Sequence, residues 1–226
     1  MLALAPGFDV PEEWLARREA GEPLAWITGQ VVFAGRRLAV DPGVYVPRTQ
    51  SEDLARLAAG LLGPAGRALD LCTGAGAIAD HLSAARPDAL VVGVDIDLHA
   101  ARCARSNGVR VVVGDLDGPI RGVGSFDLVT AIAPYVPAGE MRFLPSDVTS
   151  HEPVRALDGG ADGLDVVRRV VAAAARLLRP GGHLLVEIGG GQDELIVPEM
   201  FRQGLDPVTI WYDEDGDLRG ADAVRA

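Results

Sequence analysis

Three carboxylates stand at the ends of three apolar runs. Asp70 closes Ala68-Leu69-Asp70, Asp95 follows Leu90 to Val94, and Asp115 follows Val111 to Gly114. Between the first two runs lies the turn Cys72-Thr73-Gly74-Ala75-Gly76-Ala77. Glycines at Gly74 and Gly76 allow the main chain to approach a ligand closely, and an acid at the tip of the next strand can accept hydrogen bonds from both hydroxyls of a ribose. A strand, a backbone-exposing loop, a helix and a second strand ending in a carboxylate together make a pocket for an adenosine-bearing cofactor.

The stretch from Gly74 to Ala79 also satisfies the loose dinucleotide pattern G-x-G-x-x-G/A, with an acid about 20 residues further on. Asp70 decides against a dinucleotide, because a carboxylate just before the loop repels a pyrophosphate and suits the sulfonium and amino group of S-adenosylmethionine. Asp115, on the third strand end, is placed to receive the adenine amino group. The competing view is that Asp70 and Asp115 only cap the turns that follow them.

Positioning these groups requires alternating strands and helices. Strands are expected over Ala68–Cys72, Leu90–Val94, Val109–Val113, Phe126–Ala131 and His183–Ile188, with helices over Gly76–Ala85, Asp97–Asn107 and Asp165–Leu178. This alternation predicts a mostly parallel α/β sheet with helices on both faces and right-handed crossovers. Ahead of it, Pro11 to Ala20 reads as a short helix, Val31–Phe33 and Arg37–Val40 as a hairpin, and Ser51 as the cap of a helix over Glu52–Leu62. Pro207–Tyr212 and Leu218–Ala226 read as a final hairpin joined by Asp213 to Asp217, which lacks the twelve-position pattern of a calcium loop.

Composition narrows the class. The chain has 226 residues and a formal charge of −11, with every Lys+Arg cation an arginine. That sign gives little attraction for a phosphate backbone, so no nucleic-acid partner is expected, and the pairs Arg17-Arg18, Arg36-Arg37 and Arg168-Arg169 read as solvated faces. No apolar run of about 18 residues suggests a membrane span, and Met1 to Pro6 lacks the basic start of a secretory signal, so a cytoplasmic location is expected. Cys72 and Cys103 form no disulfide framework and no metal-ligand spacing; Cys72 reads as a small core residue and Cys103 as part of a helix face.

Substrate chemistry belongs beyond the carboxyl end of the fourth strand, where the chain reads Ala131-Ile132-Ala133-Pro134-Tyr135. Several stretches here resemble the HemK/PrmC family, the glutamine N5-methyltransferases of peptide-chain release factors. Gly21 to Gly29 with Phe33 and Gly35 is similar to the family's N-terminal hairpin, and Val46-Pro47-Arg48 through Ser51-Glu52 to its P-R-x-x-[ST]-E stretch. Glu152-Pro153 through Gly163 resembles its E-P-x-x-A-L-x-G-G-x-D-G loop, and Leu185 through Gln192 its L-x-E-I-G-x-x-Q element. The resemblance implies a Rossmann-like class I methyltransferase with a seven-stranded sheet, divided into a substrate-side appendage over 1–50 and an S-adenosylmethionine-dependent domain over 51–226. Together with the strand-end acids it gives Arg48, Asp70, Thr73, Gly74, Gly76, Asp95, Ile96, Asp115, Leu116 and Ala131 as candidate cofactor residues. Ile132, Pro134 and Tyr135 are the candidate catalytic residues, with the tyrosine ring a wall for a planar substrate. His151 is a lesser candidate as a base.

Two departures bear on the acceptor. The family pattern after the fourth strand is N-P-P-Y, whose asparagine oxygen and a neighbouring carbonyl hold the substrate amide in line with the methyl group. Here Ile132 and Ala133 take the first two places, and isoleucine has no acceptor. Losing one preorganised contact of this kind typically costs about a hundredfold to a thousandfold in rate. The second departure is at the N-terminus, where the family's helical domain is represented by about one short helix. The acceptor therefore stays open between a release factor and a small molecule, beside a third reading as a non-catalytic cofactor binder.

Overall fold

A computed structural model describes residues 10–226. Met1 to Pro6, read above for its lack of a secretory start, lies outside the described residues.

Helix α1 (Glu12–Glu19) begins after Pro11, with Glu12 and Glu13 in its first turn and Arg17 and Arg18 in its last, each sign matched to the helix dipole. A short helix α2 (Leu24–Thr28) follows Pro23 and ends on Gly29 at φ 71°. No helix is expected over Gly21–Gly29 from the sequence; burial of Ala25, Trp26 and Ile27 holds this single turn where propensity alone does not. Strands β1 (Gln30–Phe33) and β2 (Arg36–Ala39) form the expected antiparallel hairpin.

Then come α3 (Glu52–Leu61), β3 (Arg67–Leu71), α4 (Ala77–Ala85), β4 (Leu90–Asp95), α5 (Leu98–Ser106), β5 (Val111–Val113) and β6 (Phe126–Ala131). The chain closes with α6 (Ser146–His151), α7 (Asp165–Leu177), β7 (Leu178–Glu187), α8 (Asp193–Arg202), β8 (Leu205–Tyr212) and β9 (Leu218–Arg225). The seven-stranded sheet has the order β5-β4-β3-β6-β7-β9-β8. Neighbours from β5 to β7 are parallel, and β9 is antiparallel to both β7 and β8. Because β3 lies between β4 and β6, the chain reverses its direction of travel across the sheet there, and a crevice opens at the carboxyl ends.

Strand alternation divides the core. Leu69, Leu71, Val129, Leu184 and Val186 pack with α7 and α8 on one face, whereas Ala68, Leu128 and Leu185 pack with α3 and α4 on the other. Helix α7 buries Val167, Val170, Val171, Ala174 and Leu177, a stripe at helical spacing. The hairpin shares the second layer through Phe33 and Leu38. Asn107 ties it down: its amide donates to the carbonyls of Ala39 and Ala75, and its oxygen accepts from Ala39 N–H.

Two expectations change and one helix is added. Ser51 makes no capping bond; it is buried in a single 3₁₀ turn and stands beside Glu187. Strand β5 begins at Val111, because Val109 is used to pack against α4 and α5. Helix α8 is not expected from the sequence, since Pro198 interrupts its periodic pattern; Ile196 and Met200 anchor it to the core.

Candidate active site

The loop after β3 is built from left-handed residues: Cys72 at φ 56°, Gly74 at 57° and Gly76 at 85°. These turns aim main-chain N–H groups across the strand ends. Thr73 N–H donates to Val94 O at 3.0 Å, and Gly74 N–H donates to Asp95 Oδ2 at 2.8 Å. Asp97 N–H donates to Asp95 Oδ1 at 2.8 Å, so both carboxylate oxygens are fixed with lone pairs to spare. Burial raises the Asp95 pKa, and these two backbone donors oppose the rise.

A cavity of about 300 Å³ opens over this carboxylate. Gly74, Asp95, Ile96, Asp115, Leu116, Ile132 and Pro134 all line it, joined by Tyr45, Asp97, Arg155 and Arg169, which sequence reasoning missed. Asp115 is half-exposed and accepts from Arg169 Nη2 at 2.7 Å. Leu116 is buried and held at φ 46°. The volume lies within the range of small-ligand sites, about 300–1,000 Å³. An anchored diol acceptor at one side and apolar Ile96, Leu116 and Pro134 elsewhere suit a ribose and a purine face.

Other candidates sit differently. Gly76 is not among the residues lining the cavity, and a Cβ there would meet Val109 Cγ2 at 2.7 Å, so α4 packs on α5 only with a glycine at this place. Ala131 is fully buried in the core as the last residue of β6 and also stands off it. Asp70 is 1% exposed, with Thr73 Oγ1 donating at 2.5 Å and Thr130 Oγ1 at 2.8 Å. It reaches only a narrow recess of about 30 Å³, which it shares with Arg48, Thr73, Gly74 and Ile132. Burial pushes its pKa up to about 6.

Ile132 stands where the cofactor-side cavity meets a second one of about 450 Å³. That second cavity carries Tyr45, Arg48, Gln50, Tyr135 and Asp147. Tyr45 lines both cavities; burial pushes its pKa up to about 12, and the Arg48 guanidinium lies 4.9 Å from its ring centroid. Arg48 pairs with the buried Glu152, which also accepts from Val46 N–H at 3.3 Å. This pair clamps the loop from Val136 to Gly163 onto the segment before α3. Gln192 pins the same loop from the other side. Its amide donates to Tyr135 O at 2.8 Å and Asp162 O at 3.1 Å, while its oxygen accepts from Gly189 N–H. Glu152 and Gln192 are legible in the sequence as motif letters, but their partners lie 104 and 57 residues away.

His151, the lesser candidate base, packs its ring edge-on to Trp26 at 6.2 Å, away from these cavities. Among the described residues no cluster of His, Cys, Asp or Glu could hold a metal, and no helix is long and apolar enough to cross a membrane. Asp213 accepts from Asp215 and Asp217 N–H and pairs with Arg219, as a hairpin turn requires.

No family model matches the chain. It is 39% identical over 196 residues to a release factor glutamine methyltransferase of Geobacter sulfurreducens, an alignment covering 84% of this chain and 69% of that one. It is 38% identical over 206 residues to a 4-amino-L-phenylalanine/4-methylamino-L-phenylalanine methyltransferase of Streptomyces pristinaespiralis, covering 85% and 70%. A crystal structure of ribosomal protein L11 methylase from Lactobacillus delbrueckii subsp. bulgaricus matches the fold with a TM-score of 0.58 at 17% identity, covering 82% of this chain and 83% of that one. On these grounds the chain belongs to the release factor glutamine methyltransferase family and is an S-adenosylmethionine-dependent methyltransferase with a Rossmann-like class I fold.

Proposed function

We propose that the chain methylates the nitrogen of a small planar amine, and that a release-factor glutamine is at best a poor acceptor. The observation that carries this reading is Ile132, an apolar side chain at the meeting of the two cavities. A primary amide needs an acceptor there to orient its nitrogen and to offset developing charge. An amine carries its own nucleophilic lone pair and needs an apolar slot with a ring wall, which Tyr45, Ile132, Pro134 and Tyr135 supply. The relative named for 4-amino-L-phenylalanine supports the same direction, since the substrate in its name is an aromatic amine.

In this reading Asp95 holds the ribose diol, Gly74 gives close main-chain approach, and Ile96 and Leu116 flank the adenine near Asp115. Asp70 acts through its negative field and by fixing Thr73, while Arg48 shapes the acceptor wall through Glu152 and Tyr45. S-adenosylmethionine supplies an electrophilic methyl group when bound; the chain's own contribution is to hold donor and acceptor in line and exclude water. Residues 1–50 act as a substrate-side appendage to the domain over 51–226.

The test is mass spectrometry after incubation with donor and either an arylamine amino acid or a Gly-Gly-Gln peptide. A one-methyl gain on the arylamine with little on the peptide is expected. Rapid peptide methylation and none on the amine would overturn the acceptor assignment, and calorimetric binding of NAD with none for the donor would overturn the cofactor roles.

A further inference from the structure

The Tyr135 ring is given a place in the acceptor slot above, but its hydroxyl belongs to a buried polar cluster with no role so far. Its hydroxyl donates to Glu187 Oε1 at 2.8 Å, and Gln50 Nε2 donates to the same hydroxyl over a longer 3.4 Å. Glu187 ends β7, beside the carboxyl end of β6, and is 3% exposed. Tyr135 and Gln50 both line the second cavity with Ile132. Tyr135 thus lines the cavity while its hydroxyl proton is directed to a buried carboxylate. One lone pair takes the long Gln50 contact, which leaves capacity for a further proton.

Methylation of a nitrogen releases one proton per turnover. We propose that Tyr135 and Glu187 receive it as a relay. As the acceptor nitrogen bonds the methyl carbon, the carbon–sulfur bond breaks with its electron pair left on sulfur. The nitrogen's surplus proton passes to the Tyr135 oxygen, and the tyrosine's original proton passes to Glu187 Oε1. After product release the pair returns the proton to water through the same two oxygens. Tyr135 is then a catalytic residue, and Glu187 a positioning residue that acts through it. The inference rests on the nitrogen-transfer reading given under Proposed function.

The surroundings of Glu187 suit this role. Burial raises its pKa, opposed by the hydrogen bond from Tyr135, so the carboxylate is a stronger base than an ordinary glutamate. Charged and titratable neighbours are Tyr135, Tyr45 and Arg219, the last shared with Asp213 and Asp217. Arg48 and Glu152 form their own pair next to Tyr45.

The experiment compares the intact wild type with Glu187→Gln and Tyr135→Phe on both acceptors from about pH 5 to about pH 9, with S-adenosylhomocysteine affinity as the folding control. Glu187→Gln preserves a partner for the tyrosine but removes the base. It should lower kcat about a hundredfold, abolish the acid limb of the pH profile and leave that affinity unchanged. Tyr135→Phe should remove the same limb. A second readout needs no turnover: infrared titration of the unliganded wild type should show a carboxyl band titrating above the ordinary glutamate range and missing from Glu187→Gln. A Glu187→Gln enzyme with wild-type kcat and profile, or a wild type without that band, overturns the relay alone. A wild type silent on both acceptors overturns the transfer reading and the relay with it.

Discussion

In the proposed reading the acceptor turns on Ile132 and the donor on Asp95. Both Asp95 oxygens are held by backbone N–H groups at 2.8 Å, so the carboxylate is preorganised before any ligand arrives. Asp95→Ala should weaken donor binding by about tenfold to a hundredfold, roughly 1–3 kcal/mol, because ribose hydroxyls are left unpaired in a partly buried site. Calorimetry on the folded variant checks this, and an unchanged dissociation constant would reduce Asp95 to a brace for the Gly74 loop. Asp70 makes a separate statement, about stability. Its pKa is raised from 3.8 to about 6, so the folded chain binds this proton more tightly than the unfolded chain does. That proton favours folding at acid pH, and the benefit is lost as pH rises from about 4 to about 6, a change of about 3 kcal/mol. Denaturant titrations of the wild type and Asp70→Asn across this window should diverge by that order, with the wild type losing ground as pH rises. Parallel curves would mean that the two threonine hydroxyls offset the burial of the charge.

At the scale of elements, the site depends on a loop pinned from two sides. Gln192 holds the carbonyls of Tyr135 and Asp162, and the Arg48–Glu152 pair holds the segment before Pro153. Gln192→Leu leaves those groups without partners in a buried place and should cost about 2 kcal/mol or more. Hydrogen exchange should then accelerate over residues 136–163 before it changes in β3 or β6; uniform acceleration would show that Gln192 supports the whole fold and not the loop. The sheet was legible in the sequence because its strands are short apolar runs, several of them ending at an acid or a glycine turn. Strand β6 was placed at both ends, and most other ends fell within two residues; β7 is the exception, beginning at Leu178 rather than His183. What escaped were elements held by tertiary contacts. Helix α2 is one turn fixed by Trp26, whose ring N–H donates to Val44 O, and α8 carries an interior proline. The G-x-G spacing does not say which glycine lines the cavity; Gly74 does and Gly76 packs helices. The spatial neighbours Val109 and Ala104 decide that. Tyr45 and Arg169 were missed for the same reason, since neither belongs to a local pattern.

Across the whole molecule, the acidic balance and the state of the arginines point the same way. The chain carries a formal charge of −11, and the pairs Arg17-Arg18, Arg168-Arg169 and Arg36 engage Glu22, Asp147, Asp162, Asp115 and Asp80. Cations committed to carboxylates release few counterions from a phosphate backbone, so no retention of RNA is expected even at low salt. A gel shift at about 50 mM salt that vanishes by about 200 mM would contradict this. Family membership is shared with the release-factor enzymes, and the proposed acceptor rests on Ile132. The most direct measurement is therefore Ile132→Asn beside the wild type on the Gly-Gly-Gln peptide and an arylamine amino acid. The expected result is a change of opposite sign on the two acceptors. Peptide methylation should rise as the amide gains an acceptor, and amine methylation should fall as an unpartnered amide enters an apolar wall. A wild type that already methylates the peptide at about 1 per second or faster, unimproved by the asparagine, would contradict the central claim.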